Sequence, residues 1–211
     1  MTQSNTTTVE APAPPQDGTY LPVPLALDFH AIEMTGEQFV KFCSDNGELR
    51  IELTAKRELI IMPPANPDTG HKNHTINGEL YAWSKQDGTG LGFDSSTGFT
   101  FPNGAMRSPD ASWVARERWE ALPQGERTKF SRLVPDFVVE FRSPSDTLPM
   151  LLAKMSEYME NGVRLGWLID PFQRRVYVYR PGHPVETLEA PESVSGDPEL
   201  PGFALNLQDI W

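Results

Sequence analysis

The segment PDFVVEFRSPSD, residues 135–146, decides the fold together with LPMLLAKMSEYMENG at 148–162 and VRLGWLID at 163–170. The first and third segments are short and apolar, which is typical of buried strands. The middle segment has its apolar residues at helical spacing, with Thr147 as a cap and Gly162 at its end. A strand, a helix and a second strand in this order normally form a parallel pair with a right-handed crossover.

The preceding part of the chain supplies further helices and strands. TGEQFVKFCSDNG at 35–47 and HKNHTINGELYAWSKQDG at 71–88 have helical periodicity. Between them, LRIELTA at 49–55 and RELIIMPP at 57–64 have the character of paired strands. Helices and strands alternate along the whole chain, and we therefore predict an α/β fold in which a mixed central sheet is flanked by helices.

Composition indicates one soluble domain. The chain has 211 residues, enough for a single core. Residues 1–18 are polar and Pro-rich and are predicted to form a disordered tail, so the domain is expected over 19–211. There is no signal-like start and no apolar run long enough to span a membrane. The single cysteine, Cys43, suits a reducing compartment, and we expect a cytoplasmic protein.

The charge is unevenly distributed. The chain has 18 Lys and Arg against 29 Asp and Glu, a net charge of −11, which opposes nucleic-acid binding. From Arg107 to Arg180, however, 12 basic and 10 acidic residues give +2, and the remaining 6 and 19 give −13. The middle of the chain is therefore mildly basic between acidic flanks.

The strand in PDFVVEFR places three charges on one face, since strand side chains alternate. These are Asp136, Glu140 and Arg142. Ion pairing between them would explain this pattern, and so would a functional site. Asp136 and Glu140 are about 13 Å apart along a regular strand, too far to share one metal ion. Asp110, at the start of the predicted strand DASWV, can reach such an ion from a neighbouring strand.

Two carboxylates and a cation are the groups that metal-assisted phosphodiester hydrolysis requires. Asp110 and Glu140 would bind Mg²⁺ or Mn²⁺, because such hard cations take one or two carboxylates and complete their shell with water and phosphate. Lys154 in the following helix could act on the attacking water or the phosphate, and Arg142 could steady the phosphate charge.

The segments RSPDASWV, PDFVVEFRSPSD, KMSEYMENGVRLGWLIDP and LPGFALNL resemble the Uma-type endonuclease family, within the restriction-endonuclease-like PD-(D/E)XK superfamily. The resemblance extends from about Leu21 to Trp211. It implies a central sheet with an Asp and a Glu that bind a divalent metal, plus a catalytic lysine. By motif position Asp110 takes the Asp role and Glu140 the Glu role.

One departure from the superfamily pattern concerns the lysine. The pattern has lysine two residues after the Glu, where this chain has Arg142. Arginine stays protonated and is a poor base. Relatives of this type supply the lysine from the following helix, so the resemblance nominates Lys154.

Other polar residues are weaker candidates. Asp136 and Asp170 adjoin prolines at strand ends, where carboxylates commonly cap backbone amides. A helical amide or acid could reach the metal, which keeps Asn73 and Glu79 as secondary candidates. We expect His71 and His74 to be exposed.

Three functions compete on these observations. The first is a Mg²⁺- or Mn²⁺-dependent endonuclease that acts on DNA, with a homodimer as the expected assembly. The second is a catalytically weak or inactive protein of the same fold that serves as a binding or assembly module, favoured by Arg142 and the negative charge. The third is an acidic protein-binding domain, which would leave Asp110, Glu140 and Lys154 far apart.

Overall fold

The computed structural model describes residues 24–29, 31–32, 34–127 and 132–211. The predicted tail at 1–18 lies outside these residues, and the single domain over 19–211 stays a prediction. The described residues form an α/β fold with two main sheets, a small hairpin and flanking helices. The helices are α1 (Gly36–Asp45), α2 (Pro67–Asp87), α3 (Arg116–Glu120), α4 (Gln124–Arg127) and α5 (Leu148–Glu160).

The first sheet is antiparallel and has the strand order β1-β3-β2-β6-β5. Its strands are β1 (Leu25–Asp28), β2 (Arg50–Leu53), β3 (Glu58–Met62), β5 (Phe99–Thr100) and β6 (Met106–Arg107). Alternation gives this sheet two different faces. One face packs on α1, where Leu53 and Leu59 contact a cluster with Phe39.

The second sheet is mixed and has the order β11-β10-β9-β8-β7-β4. Its strands are β4 (Gly90–Asp94), β7 (Ala111–Ala115), β8 (Phe137–Phe141), β9 (Leu165–Asp170), β10 (Arg175–Tyr179) and β11 (Glu186–Glu189). Strands β8 and β9 are parallel and are joined by α5, which confirms the predicted strand–helix–strand unit. The predicted mixed sheet with flanking helices is confirmed, and the separate first sheet was not predicted.

Strand β8 divides the core by its alternation. Phe137, Val139 and Phe141 belong to the cluster that contains α2 and the hairpin of β12 (Ser193–Ser195) and β13 (Ala204–Asn206). Val138 belongs to the opposite cluster, with residues of α5. Glu140 lies on this second face, because it is two residues from Val138. The acidic side chain therefore points toward α5.

Helix α5 approaches the sheet closely at Gly166 in β9. A Cβ atom there would lie 2.6 Å from Met155 Cε and 3.0 Å from Met159 Cε. A side chain at this position would force the ends of both methionines to move. The close approach brings the polar residues of α5 within reach of Glu140.

Candidate active site

Lys154 joins the two sheets through a pair of buried carboxylates. Its Nζ lies 2.9 Å from Glu52 Oε1 in β2 and 2.8 Å from Glu140 Oε1 in β8. The lysine side chain is only 10% exposed. A buried cation of this kind requires compensating charge, and each sheet contributes one carboxylate. Lys154 and Glu140, both predicted from the sequence, are thus in direct contact.

Asp110 lies beside the same cluster, immediately before β7. Its Oδ2 accepts a hydrogen bond of 2.9 Å from the backbone N–H of Phe141, the residue after Glu140. The amide of Asn73 donates to Oδ1 at 3.3 Å, and Asn77 donates to the backbone carbonyl of Asp110 at 2.9 Å. Helix α2 therefore orients one predicted ligand next to the other.

A second layer of hydrogen bonds holds the carboxylates in place. The hydroxyl of Tyr158 donates to Glu140 Oε1 at 2.7 Å, one helical turn after Lys154. Arg107 in β6 donates to Glu52 Oε2 at 3.1 Å and to Glu157 Oε2 at 2.7 Å. The backbone N–H of Ser108 donates to Glu52 Oε1 at 2.9 Å. Both carboxylate oxygens of Glu52 therefore accept hydrogen bonds within the protein.

The electrostatic environments of the carboxylates differ. Burial would raise the pKa of Glu52, but Lys154 and Arg107 outweigh it and lower that pKa below its ordinary value. Burial raises the pKa of Asp110, against the lowering effect of the Phe141 N–H. For Glu140, burial and the neighbouring Asp110 and Glu52 outweigh Lys154 and raise the pKa to about 7. The charge of Glu140 is therefore less well compensated than that of Glu52.

For Lys154, burial and the neighbouring charges act on the pKa in opposite directions. Burial alone would lower its pKa, but the adjacent Glu140 and Glu52 raise it above the ordinary value. The ammonium therefore stays protonated at neutral pH. It can donate hydrogen bonds to a water or a phosphate oxygen, and it cannot serve as a general base in this state.

The structure places Arg142 beside Asp170, away from Asp110 and Glu140. Its guanidinium pairs with Asp170 Oδ2 at 2.8 Å and lies over the ring of Phe172, with 5.1 Å to the centroid. The cause is the parallel register, in which Glu140 is opposite Leu168, so that two residues further on Arg142 comes beside the buried Asp170. Arg142 neutralises that carboxylate and does not join the cluster.

Of the weaker candidates from the sequence, most bind backbone or basic groups away from the carboxylate cluster. Asp136 accepts from the backbone N–H of Ala115 at 2.9 Å and pairs with Arg118 at 2.7 Å. Asp170 accepts from the N–H groups of Phe172 and Gln173 in addition to Arg142. Glu79 accepts from the backbone N–H of Asn206 in the hairpin. His71 and His74 are exposed, and Asn73 alone of the weaker candidates contacts a predicted ligand.

Sequence reasoning missed Glu52, Arg107 and Tyr158. Glu52 is 2% exposed between Ile51 and Leu53, and an acidic residue within an apolar strand was a usable signal. Tyr158 lies four residues after Lys154, the spacing that puts two helical side chains on one face. Nothing local in the sequence marks Arg107.

A cavity of about 630 Å³ opens beside the cluster. Its border includes Asp110, Glu140, Lys154 and Glu52, and the first residues of α2, around Thr69. Arg142 does not border it. The cavity is the place where a substrate would meet the carboxylates.

Asp110 and Glu140 fit a hard divalent cation. Within the ranges that the structure describes, no group of three or more His, Cys, Asp or Glu residues forms a complete metal site. Mg²⁺ needs only one or two carboxylates, however. The bonds from Lys154 and Tyr158 both end on Glu140 Oε1, so Oε2 receives none from the described residues. The buried Asn73 Oδ1, beside Asp110, also lacks a partner among them.

Comparisons with known proteins found one family model and similar solved structures. A family model described as "Uma2: Putative restriction endonuclease" matches residues 36–208. A crystal structure of a "putative nuclease belonging to DUF820" from Anabaena variabilis is similar, with a TM-score of 0.69 and 21% identity. The match covers 84% of this chain and 97% of that chain. No curated protein matches the chain. Among the described residues, no helix is long and apolar enough to cross a membrane.

Proposed function

Because this chain belongs to the Uma2 family of restriction-endonuclease-like proteins, we propose that it is a Mg²⁺- or Mn²⁺-dependent endonuclease that hydrolyses phosphodiester bonds of DNA. One observation carries the proposal. Asp110, immediately before β7, accepts a hydrogen bond from the Phe141 N–H next to Glu140 in β8, and a buried lysine contacts Glu140 at 2.8 Å. The third function considered above required these groups to lie far apart, which this contact contradicts.

Asp110 and Glu140 would hold the metal ion. When bound, the ion would activate a water molecule and neutralise the charge that develops on the phosphate. Burial raises the pKa of both carboxylates, and at Glu140 the neighbouring Asp110 and Glu52 raise it further, so a bound cation would stabilise their ionised forms. Glu52 does not fit this role, because Lys154, Arg107 and the Ser108 N–H already occupy its oxygens.

Lys154 would act as a fixed hydrogen-bond donor. Its ammonium is held by Glu52 and Glu140, so little reorganisation is needed when a water or phosphate oxygen arrives. Tyr158 would keep Glu140 in position through its hydroxyl. The positive ends of α2 and α5 both border the cavity, near Thr69 and Met150, and favour an anionic substrate.

Cleavage assays test this function. Wild-type protein is incubated with plasmid and with single-stranded DNA in Mn²⁺, alongside Glu140→Ala and the control Glu186→Ala. Glu186 is exposed in β11, on the edge of the same sheet. We expect cleavage by wild type and Glu186→Ala, and a loss of at least about 100-fold in Glu140→Ala. Equal activity of all three, or none in any substrate and metal, would refute the proposal.

A catalytically weak binding module is the second candidate. It is favoured by Arg142, which takes the usual lysine position and is engaged by Asp170. Calorimetric titration with Mn²⁺ distinguishes the two functions, because the module would bind no metal at millimolar concentration. The homodimer expected from the sequence stays a prediction, and sedimentation would measure it.

A further inference from the structure

The first sheet supplies an apolar wall to the cavity. Its other face packs on α1. On the cavity face, Ala26, Ile60 and Glu52 are direct partners across three adjacent strands. All three border the cavity. The carboxylate that binds Lys154 therefore stands at the end of an apolar row.

The wall continues beyond this row. Met62 and the following Pro63 and Pro64 border the cavity, as do Pro144 and Met150 on the α5 side of the chain. The volume of about 630 Å³ is in the range of sites that enclose a small organic group. A phosphate needs no apolar enclosure of this size, and the wall suits an apolar part of the substrate.

The bases are the apolar part of a nucleic acid. In a duplex they are stacked and paired, and an enzyme at the scissile bond meets phosphates and sugars. In a single strand the bases can turn onto apolar and aromatic side chains, which is how single-strand-binding proteins gain affinity. Since the wall adjoins Glu140, the base that it can reach belongs to the nucleotide at the scissile phosphate.

The charges around the cavity also favour a single strand over a duplex. Duplex binding requires many Lys and Arg contacts to phosphates, and this chain has a net charge of −11. Lys154 and Arg107 at the cavity are each paired with two carboxylates. Arg50 and Lys56 are the other basic residues of its described border. The described border therefore offers few free cations for the many phosphate contacts that a duplex requires.

We propose, on the basis of the function proposed above, that this cavity binds an unstacked nucleobase and that the substrate is single-stranded DNA. The base lies on the Ala26, Ile60 and Met62 wall while its phosphate faces Asp110 and Glu140. Methionine side chains adapt to different shapes, so the site accepts several bases.

Two tryptophan substitutions on one strand test the assignment. Ala26→Trp fills the cavity from the exposed edge strand β1, and Leu27→Trp places the same ring on the opposite face, where Leu27 is 37% exposed. Binding of a labelled oligonucleotide, single-stranded or in duplex, is measured by fluorescence anisotropy with Ca²⁺. We expect wild type and Leu27→Trp to bind the single strand at least about tenfold more tightly than the duplex, and Ala26→Trp to lose about tenfold.

The outcomes separate this proposal from the catalytic one. Equal affinity for the two DNA forms, or equal effects of the two tryptophans, would overturn the cavity assignment. Cleavage of the same DNAs is then measured with Mn²⁺. Tighter binding of the single strand without any cleavage would support the base site and refute the nuclease. Cleavage without a preference for the single strand would support the nuclease and refute the base site. Melting temperatures check that each variant folds. If Ala26→Trp does not fold, Met62→Ala, which removes part of the wall, is used in its place.

Discussion

At the scale of single residues, Glu52 and Glu140 share one lysine but differ in how well their charge is balanced. Glu52 has Lys154, Arg107 and a backbone N–H, and its pKa is lowered despite burial. Glu140 has Lys154 and Tyr158 but also faces other carboxylates, and its pKa is raised to about 7. Glu52 therefore anchors the lysine, whereas Glu140 is the less compensated carboxylate, whose ionised form a bound cation would stabilise.

Removing the charge of Glu52 should destabilise the protein. Glu52→Gln leaves Lys154 and Arg107 buried with one carboxylate fewer, and loss of one partner from a buried ion pair typically costs about 3–5 kcal/mol. Glu58→Gln, on the same sheet face and half-buried, is the control and should cost under about 1 kcal/mol. Urea unfolding measures both. Equal free energies of unfolding for the two variants would contradict the anchoring role.

The raised pKa of Glu140 predicts a pH dependence of stability without metal. The folded-state pKa of about 7 exceeds the ordinary 4.5, so ionisation costs the folded state. This contribution is fully present below pH 4.5 and is lost as the pH rises through about 7. It is on the order of 3 kcal/mol. Between pH 5 and 8 in EDTA, the Glu140→Gln variant should therefore lose less stability than the wild type. Thermal unfolding at each pH measures this. Parallel curves for the two proteins would refute this.

Arg142 shows what a local pattern cannot provide. Strand alternation correctly relates it to Glu140, but the partner of a side chain at the end of a strand depends on the neighbouring strand. That partner is Asp170, 28 residues later. The sequence predicts that the two segments are parallel strands and does not fix which residues come side by side.

At the scale of secondary structure, the site depends on how α5 lies on the second sheet. Leu151, Met155 and Tyr158 are buried on one side of this helix, at spacings of four and three. Lys154 lies on the border of that side and is carried to Glu140. This element was predictable, because strand, helix and strand are contiguous in the chain and alternation and periodicity define their faces.

The packing of α5 on β9 is tested by an alanine at Gly166, with an alanine at Gly78 in α2 as the control. Gly166→Ala would push Met155 and Met159 away from β9, and overpacking of this kind costs about 1–3 kcal/mol. Gly78→Ala, exposed in α2 with no atom within 4 Å of the new Cβ, should stabilise by about 0.5–1 kcal/mol. Chemical denaturation measures both free energies. We expect only Gly166→Ala to reduce DNA cleavage. A Gly166→Ala protein with unchanged stability and activity would show that Met155 and Met159 can move aside without shifting α5.

At the scale of the whole molecule, the site lies where two sheets meet. Glu52 and Lys154 are 102 residues apart in the chain and 2.9 Å apart in space. Asp110, Glu140 and Lys154 could be nominated from the sequence because each belongs to the contiguous second-sheet region or to a recognisable motif. Glu52 is marked only as an acidic residue in an apolar strand, and nothing local marks Arg107, because their approach to Lys154 and Glu157 arises from the packing of the first sheet.

The central claim is that Asp110 and Glu140 bind a divalent cation next to Lys154. A crystal soaked in Mn²⁺, with anomalous diffraction to locate the ion, tests it most directly. We predict one ion within about 2.1–2.3 Å of an oxygen of each carboxylate, with Lys154 Nζ close by and not bound to the ion. Anomalous density elsewhere, or none at this position at millimolar Mn²⁺, would contradict the claim.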